Sequence, residues 1–383
     1  MSRIILIILT LLFRAADLVS NPFVTVEDTH FMLEGQPYRF IGTNLWYGMH
    51  LGAPESGDQE RLVRELDRLM SLGVSNLRVM ACSEGPVDEP WRVIPVLYDR
   101  DYYNEDLCQG LDFLLYEMGR RDMKAVICLT NFWPWTGGMA QYVSWATSSD
   151  IPYPPPENGG SWLRYQLYTS RFYSNPEAME AYRSHIRQMV TRRNSCTGVL
   201  YTEDPVIMAW EIANEPRAVL RPKKYRSWIK ESARLIKKLD PNHLVTIGSE
   251  GNTSSRWSGN NFTIDHAIEE IDYCTIHFWA ENWGWYDPRD ISSLQKTMEQ
   301  LDNYLNSHIQ GALVIGKPLV LEEFGLARNE GAFDHSSEVT SRDDFFKHIL
   351  NRYLSEMEHS SPFSGLNFWA WSGEGRPEKP GSF

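Results

Sequence analysis

The sequence has no basic run, no short-spaced His and Cys cluster, and no glycine-rich phosphate loop. Each absence removes a class of function. Lys and Arg number 37 against 50 Asp and Glu, a net charge of −13, so the surface repels phosphate backbones and anionic membranes. No nucleic acid or membrane partner is expected. CxxC and HExxH are missing, and no metal is expected. GxGxxG, Walker-type and GxSxG strings are missing too, which argues against a nucleotide enzyme and a serine hydrolase and leaves no cofactor expected. The five cysteines are an odd number, so at least one thiol stays unpaired within the chain; Cys128 and Cys274 lie in apolar runs and read as core. No composition break or repeat divides the 383 residues, which suits one large domain.

Long hydrophobic runs are also scarce. The stretch 4–13 is too short for a membrane span of about 20 residues. Behind Arg3 and before Leu18-Val19-Ser20, it reads as a secretory signal at 1–20, leaving residues 21–383 as an extracellular domain. The sequons at Asn252 and Asn261 are compatible with that route. What the chain has in excess is aromatic: 14 Trp, 18 Tyr and 16 Phe. A core needs few tryptophans, because a buried indole N–H wants a partner. The surplus points to a cleft that uses flat faces.

Short apolar runs alternate with helical stripes. The strand candidates are Tyr38–Trp46, Val74–Met80, Lys124–Leu129, Val206–Ile212, Leu244–Gly248, Tyr273–Phe278, Pro318–Glu323 and Gly365–Trp371. Helical stripes include Leu62, Leu66, Leu69 and Met70, and Phe346, Ile349, Leu350, Tyr353 and Met357. Eight strands alternating with helices predict an α/β fold, a closed (β/α)8 TIM barrel. Phe31–Tyr38, turning at Glu34-Gly35, predicts an N-terminal hairpin that plugs the floor. After the eighth strand only Ser372–Phe383 remain, with no eighth helix. Either another segment covers that seam or the chain is truncated.

Barrel chemistry sits where the strands end. Those ends carry Asn44, Arg78, Asn131, Asn214-Glu215, Glu250, His277, Glu323 and Trp369. A lone strand-end carboxylate is usually a cap or a solvated residue. Glu215 and Glu323, however, end the fourth and seventh strands and face each other across the mouth. Two facing carboxylates are the minimum equipment for glycoside hydrolysis, one protonated and one ionised. Arg78 is placed to hold one of them ionised. A regular pleat turns Glu322 to the face opposite Glu323, which makes it a helix-side or structural residue.

Trp210-Glu211-Ile212-Ala213-Asn214-Glu215-Pro216 and Leu321-Glu322-Glu323-Phe324-Gly325 resemble the acid/base and nucleophile motifs of glycoside hydrolase family 5. Three further strings resemble its endo-β-1,4-mannanase branch: Asn131-Phe132-Trp133-Pro134-Trp135 with Gly137–Tyr142, His277–Trp283, and Asn367–Trp371 with Gly373-Glu374-Gly375-Arg376. The resemblance covers roughly residues 22–376. It implies Glu215 as acid/base and Glu323 as nucleophile, with Asn214 on the sugar 2-hydroxyl. Arg78 and His277 would steady the carboxylates, and Trp369 would be the platform under the glycone. Asn131, Trp133, Trp135 and Arg376 are expected to bind substrate. So is Trp279, which stands where the wider family has Tyr. The aromatic stretch Trp133–Tyr173 is expected to form, in part, a cleft wall.

The resemblance implies a secreted, monomeric, retaining endo-β-1,4-mannanase acting on β-mannan, glucomannan and galactomannan. Two alternatives stay open: an endo-β-1,4-glucanase, and a barrel that binds polysaccharide without cleaving it because its C-terminal end is short.

Overall fold

The computed structural model describes residues 21–376 apart from 91 and 254. The expected signal at 1–20 and the tail 377–383 lie outside the described residues. Eight parallel strands form one sheet: β1 (Phe40–Asn44), β2 (Asn76–Met80), β3 (Lys124–Cys128), β4 (Ile207–Glu211), β5 (Leu244–Thr246), β6 (Cys274–Phe278), β7 (Leu319–Phe324) and β8 (Phe363–Phe368). Each lies inside or within two residues of its expected run. The reason is burial: almost every strand residue is covered on both faces, so the apolar runs are nearly continuous.

Ladder pairing runs from β5 through β4, β3, β2, β1, β8 and β7 to β6. The remaining seam, between β5 and β6, is closed mainly through side chains. Val245 N–H donates to Asp272 Oδ2 (2.6 Å), Thr246 Oγ1 to the Tyr273 carbonyl (3.0 Å), and Ser249 N–H to Thr275 Oγ1 (2.8 Å). The sheet is thus a nearly closed barrel.

The floor is a three-stranded antiparallel sheet, Thr25–Glu27, His30–Leu33 and Gln36–Tyr38. The expected hairpin is its second and third strands; the first, only three residues long, carries no pattern a sequence reading can use. Phe31 is fully buried and packs edge-on to Tyr273 (centroids 5.2 Å apart) and near Phe40 (6.3 Å), in a cluster with Val126, Met208 and Val320 from the barrel bottom.

Outer helices are α1 (Gln59–Ser71), α2 (Glu105–Gly119), α3 (Pro176–Val190), α4 (Pro222–Leu239), α5 (Phe262–His266), α6 (Ser293–Ile315) and α7 (Thr340–Met357). Leu62, Leu66 and Leu69 are buried as their stripe requires, whereas Met70 is about half exposed. Among the described residues no helix follows β8. The chain beyond it is instead fastened to α1. Trp371 Nε1 donates to Glu65 Oε2 (2.8 Å), and Arg64 makes two 2.9 Å bonds to Glu374. A groove of about 1270 Å³ remains between α1 and α7, lined by Arg68, Phe346, Leu350, Phe368 and Trp371.

The aromatic stretch after β3 is more ordered than a loop. It holds helices at Gly138–Thr147 and Trp162–Thr169. Tyr142, Tyr165 and Tyr173 are buried in the core, and only part of the stretch faces the cleft. All five cysteines are unpaired, four of them buried and Cys196 exposed.

Phe31→Ala removes the largest buried ring of the floor and is expected to cost about 3–5 kcal/mol. Urea unfolding of the full chain measures it; a loss below about 1 kcal/mol would show that the floor sheet does not support the barrel.

Candidate active site

The site grows from one buried guanidinium. Arg78, third residue of β2, is 1% exposed and spends all five N–H donors on four side chains. Nε and Nη2 fork onto Glu211 (2.7 and 2.5 Å), Nη2 also reaches Asn214 Oδ1 (2.8 Å), and Nη1 donates to Asn44 Oδ1 (3.0 Å) and Glu323 Oε1 (2.5 Å). The arginine thereby ties the ends of β1, β4 and β7 to β2. Glu211 was visible only as a charge inside an apolar strand run; that was the signal for it.

Glu323 also accepts from Trp279 Nε1 (3.1 Å), so the indole supplies the single donor expected of it. Glu215 stands just past β4 with a left-handed backbone (φ 48°), a conformation that turns its side chain out of the strand register. Its Oε1 lies 2.7 Å from His277 Nδ1 and its Oε2 2.5 Å from Trp133 Nε1. The same His277 nitrogen is 3.4 Å from Glu323 Oε2, so one imidazole bridges both carboxylates. One oxygen from each glutamate and a nitrogen of His277 lie within 4.8 Å of one another. Among the described residues this is the only such group of His, Cys, Asp or Glu. It suits a proton better than a metal ion: its donor atoms already bond one another, and Arg78 sits against Glu323 as a competing cation.

Glu322 corrects the expectation of a regular pleat. The β6–β7 register slips between Ile276 and His277, pairing Ile276 with Leu321 and His277 with Glu323, so the ladder skips Glu322. This irregularity lets adjacent glutamates both reach His277. Glu322 Oε2 lies 3.7 Å from His277 Nε2 and 4.0 Å from Arg78 Nε, buried inside the barrel rather than on the helix side.

These contacts set the charges. Burial works against a charged imidazole, but the charge of Glu323, the bond to Glu215 and the nearby Glu322 carboxylate outweigh it, and the His277 pKa is pushed up to about 10. Burial would also raise the Glu215 carboxyl; the bond and charge of His277, then Arg217 and the Trp133 N–H, hold it below the usual range. For Glu323, burial dominates and, with the charge of Glu215, lifts it to about 7 despite His277 and Arg78. The two carboxyls titrate as a pair around one shared proton.

The cleft above them is about 520 Å³ and is lined by Trp133, Trp135, Trp162, Asn214, Glu215, Arg217, Glu250, Trp279, Trp283, Glu323 and Trp369, among others. Two expected substrate residues stand elsewhere. Asn131 is fully buried behind Asn214, accepting from its Nδ2 (3.0 Å), and so orients that amide. Arg376 lies along the groove beside β8, its Nη1 held by the Gly373 and Gly375 carbonyls (2.7 Å each), and does not line the cleft. Arg217 lines it without having been expected; a lone Arg after Asn-Glu-Pro gives no pattern to read.

His277 gains stability from its charged partners that is complete below about pH 6.5 and is lost as pH rises toward 10. The thermal midpoint is therefore expected to fall across that window, and to fall less in His277→Gln. Equal slopes in the two proteins would contradict a charged buried imidazole.

A model of glycoside hydrolase family 5, described as β-mannosidase-like, matches residues 21–383. Mannan endo-1,4-beta-mannosidase 5 of Solanum lycopersicum is 32% identical over 369 residues, which is 92% of this chain and 82% of that protein. The solved glycoside hydrolase family 5 mannosidase of Rhizomucor miehei is 38% identical, with a TM-score of 0.87 over 95% of this chain and 90% of that one. The endo-1,4-beta-mannanase of the same fungus is 25% identical, with a TM-score of 0.67 over 91% and 90%. The chain is a glycoside hydrolase and belongs to the β-mannosidase-like members of family 5.

Proposed function

We propose that the protein hydrolyses β-1,4-mannosidic bonds inside mannan-type polysaccharides with net retention of configuration. One observation carries this reading: Glu215 and Glu323 present oxygens within 4.8 Å of each other across His277. Retaining glycosidases hold their carboxyl groups about 5–5.5 Å apart, whereas inverting ones leave about 6.5–9.5 Å for a water.

Glu323 is the nucleophile. Arg78 and Trp279 fix one of its oxygens each, which aims the carboxylate and disperses its charge. In the first step a Glu323 oxygen bonds to the anomeric carbon, the C–O bond to the leaving sugar breaks, and Glu215 gives that oxygen its proton. In the second step Glu215 takes a proton from water, the water oxygen bonds to the same carbon, and Glu323 leaves. Cleavage needs the shared proton on Glu215, whereas in the empty site burial and the charge of Glu215 favour it on Glu323. A bound sugar strips the remaining water from Glu215, which raises its carboxyl. His277 Nδ1, in reach of both, supplies the path for exchange.

Mannan as substrate follows the names of the relatives, mannan endo-1,4-beta-mannosidases. A second reading, removal of single mannosyl units from chain ends, has its own support. Four indoles touch edge to face in a row, Trp46 to Trp135 (5.4 Å), Trp135 to Trp369 (6.2 Å) and Trp369 to Trp279 (6.2 Å), beginning at the residue bonded to Glu323. Such a row narrows the glycone side, and the Rhizomucor miehei protein of 38% identity is named a mannosidase. Export from the cell, read from Arg3 and the run 4–13, is part of the same proposal.

Linear β-mannan, reduced mannohexaose and soluble cellulose separate these readings. Internal cleavage gives mixed oligosaccharides and an early fall in mannan viscosity. Mannose as the sole product would replace it with end-wise release, and action on cellulose alone would overturn the mannan reading. Glu323→Ala is expected to lose at least about a thousandfold in kcat while still binding oligosaccharide. Glu215→Ala should regain turnover of an activated aryl mannoside on addition of azide; no regain would contradict its acid/base role.

A further inference from the structure

Two buried polar atoms beside the catalytic pair, His277 Nε2 and Glu322 Oε2, face each other 3.7 Å apart, and neither has a hydrogen-bond partner among the described residues. The reaction scheme uses only the other nitrogen of this imidazole, Nδ1, which lies 2.7 Å from Glu215 and 3.4 Å from Glu323. Glu322 is 1% exposed, and a carboxyl is costly to bury unless it is paired. The slip in the β6–β7 ladder brings it to the imidazole. Asn44 Nδ2 donates to its carbonyl (2.8 Å) and the Tyr273 hydroxyl to its Oε1 (3.5 Å), which leaves Oε2 for His277.

We infer that Glu322 is a positioning residue for His277, holding the imidazole through Nε2 so that Nδ1 can pass a proton from Glu323 to Glu215. The imidazolium gives its Nδ1 proton to Glu215, and the neutral ring then takes the Glu323 proton at the same atom. One proton has moved, and the ring ends as it began. Between the two transfers the ring keeps its Nε2–H, a donor that needs an acceptor in a dry interior. Glu322 Oε2 is that acceptor, once the 3.7 Å gap closes to a hydrogen bond. It fixes which nitrogen stays protonated, and a ring held at both edges cannot turn Nδ1 away. The groups facing Glu322 are Arg78 from β2, Glu211 from β4, Tyr273 just before β6, His277 from β6 and its neighbour Glu323. Burial and the charge of Glu211 raise its carboxyl against the pull of His277 and Arg78, and a carboxylate of raised proton affinity accepts an N–H more strongly. Arg78 Nε, 4.0 Å away, is already committed to Glu211, so His277 is the freer partner.

This role rests on Glu215 as acid/base, and the test keeps the two apart. The first step is followed through kcat/KM on two substrates. Phenyl β-mannoside has a poor leaving group that needs acid help, whereas the leaving group of 2,4-dinitrophenyl β-mannoside does not. Glu322→Gln keeps the volume and removes the charge. It is expected to lose about tenfold in kcat/KM on the phenyl glycoside and to stay within about twofold on the dinitrophenyl one. The alkaline limb of its pH profile is expected to move down by about one pH unit, because His277 and the two carboxyls lose a carboxylate that helped them hold protons. Glu322→Asp keeps the charge but draws it back from Nε2, and a smaller loss with the same leaving-group dependence is expected. That variant decides the matter if Glu322→Gln does not fold.

Equal losses on the two substrates with the alkaline limb unmoved would make Glu322 a structural residue only and overturn the inference. So would unchanged rates in a folded variant. If Glu215→Ala itself loses equally on both substrates and azide restores nothing, the acid/base reading has failed instead.

Discussion

A charge buried at the centre of a barrel has to be fully paired, and Arg78 meets that demand with five hydrogen bonds. Its partners belong to the ends of three other strands. Asn44, Glu211, Asn214 and Glu323 cannot shift without leaving part of a guanidinium unsatisfied in a dry interior, which costs several kcal/mol on the order of a broken buried ion pair. The side chain that needs the barrel for its pairing is thus the one that fixes the barrel mouth. Rigidity at this point is what acid–base and nucleophilic chemistry on a sugar requires, since aim rather than contact area sets the rate.

Around that anchor the environments of the two glutamates diverge. Glu323 is held by a permanent cation and an indole N–H. Glu215 is held by an imidazolium that it shares with Glu323 and by a second indole. The first set is fixed; the second contains the one group able to pass a proton. Glu322, brought inward by the slip in the β6–β7 ladder, lies beside the far nitrogen of His277 and adds to the pull of Glu323 and Glu215 that keeps the imidazole charged. On the proposed reading a neutral sugar adds no charge to the site, so water exclusion is what would redistribute the proton on binding.

Much of this was legible before any coordinates. Strands buried on both faces write near-continuous apolar runs, and the polar residue that ends each run marks the barrel mouth, where the structure brings Arg78, Asn214, Glu215, His277 and Glu323 together. The errors have physical causes. Strict alternation misplaced Glu322 because a register slip leaves no mark in composition. Asn131 was read as a substrate contact because a strand end looks the same whether its amide faces the cleft or a neighbouring amide. The Gly-Glu-Gly-Arg string suggested that Arg376 reaches the substrate, but the two glycine carbonyls capture its guanidinium. The aromatic stretch forms a cleft wall only in part, as expected, but that Tyr142, Tyr165 and Tyr173 are its buried members was not legible, because ring type does not tell which side of a helix is buried. Arg217, which lines the cleft, was silent, since a lone Arg after Asn-Glu-Pro gives no pattern to read.

The central claim is that Glu323, gripped by Arg78, attacks the sugar while Glu215 manages the proton. Trapping with a 2-deoxy-2-fluoro-β-mannosyl fluoride, followed by peptide mass analysis, tests it most directly. The account predicts a stable covalent adduct on the peptide containing Glu323 and recovery of activity as the adduct slowly turns over. An adduct on Glu215 or Glu322, or turnover of the fluoride with no adduct and an inverted product, would contradict it.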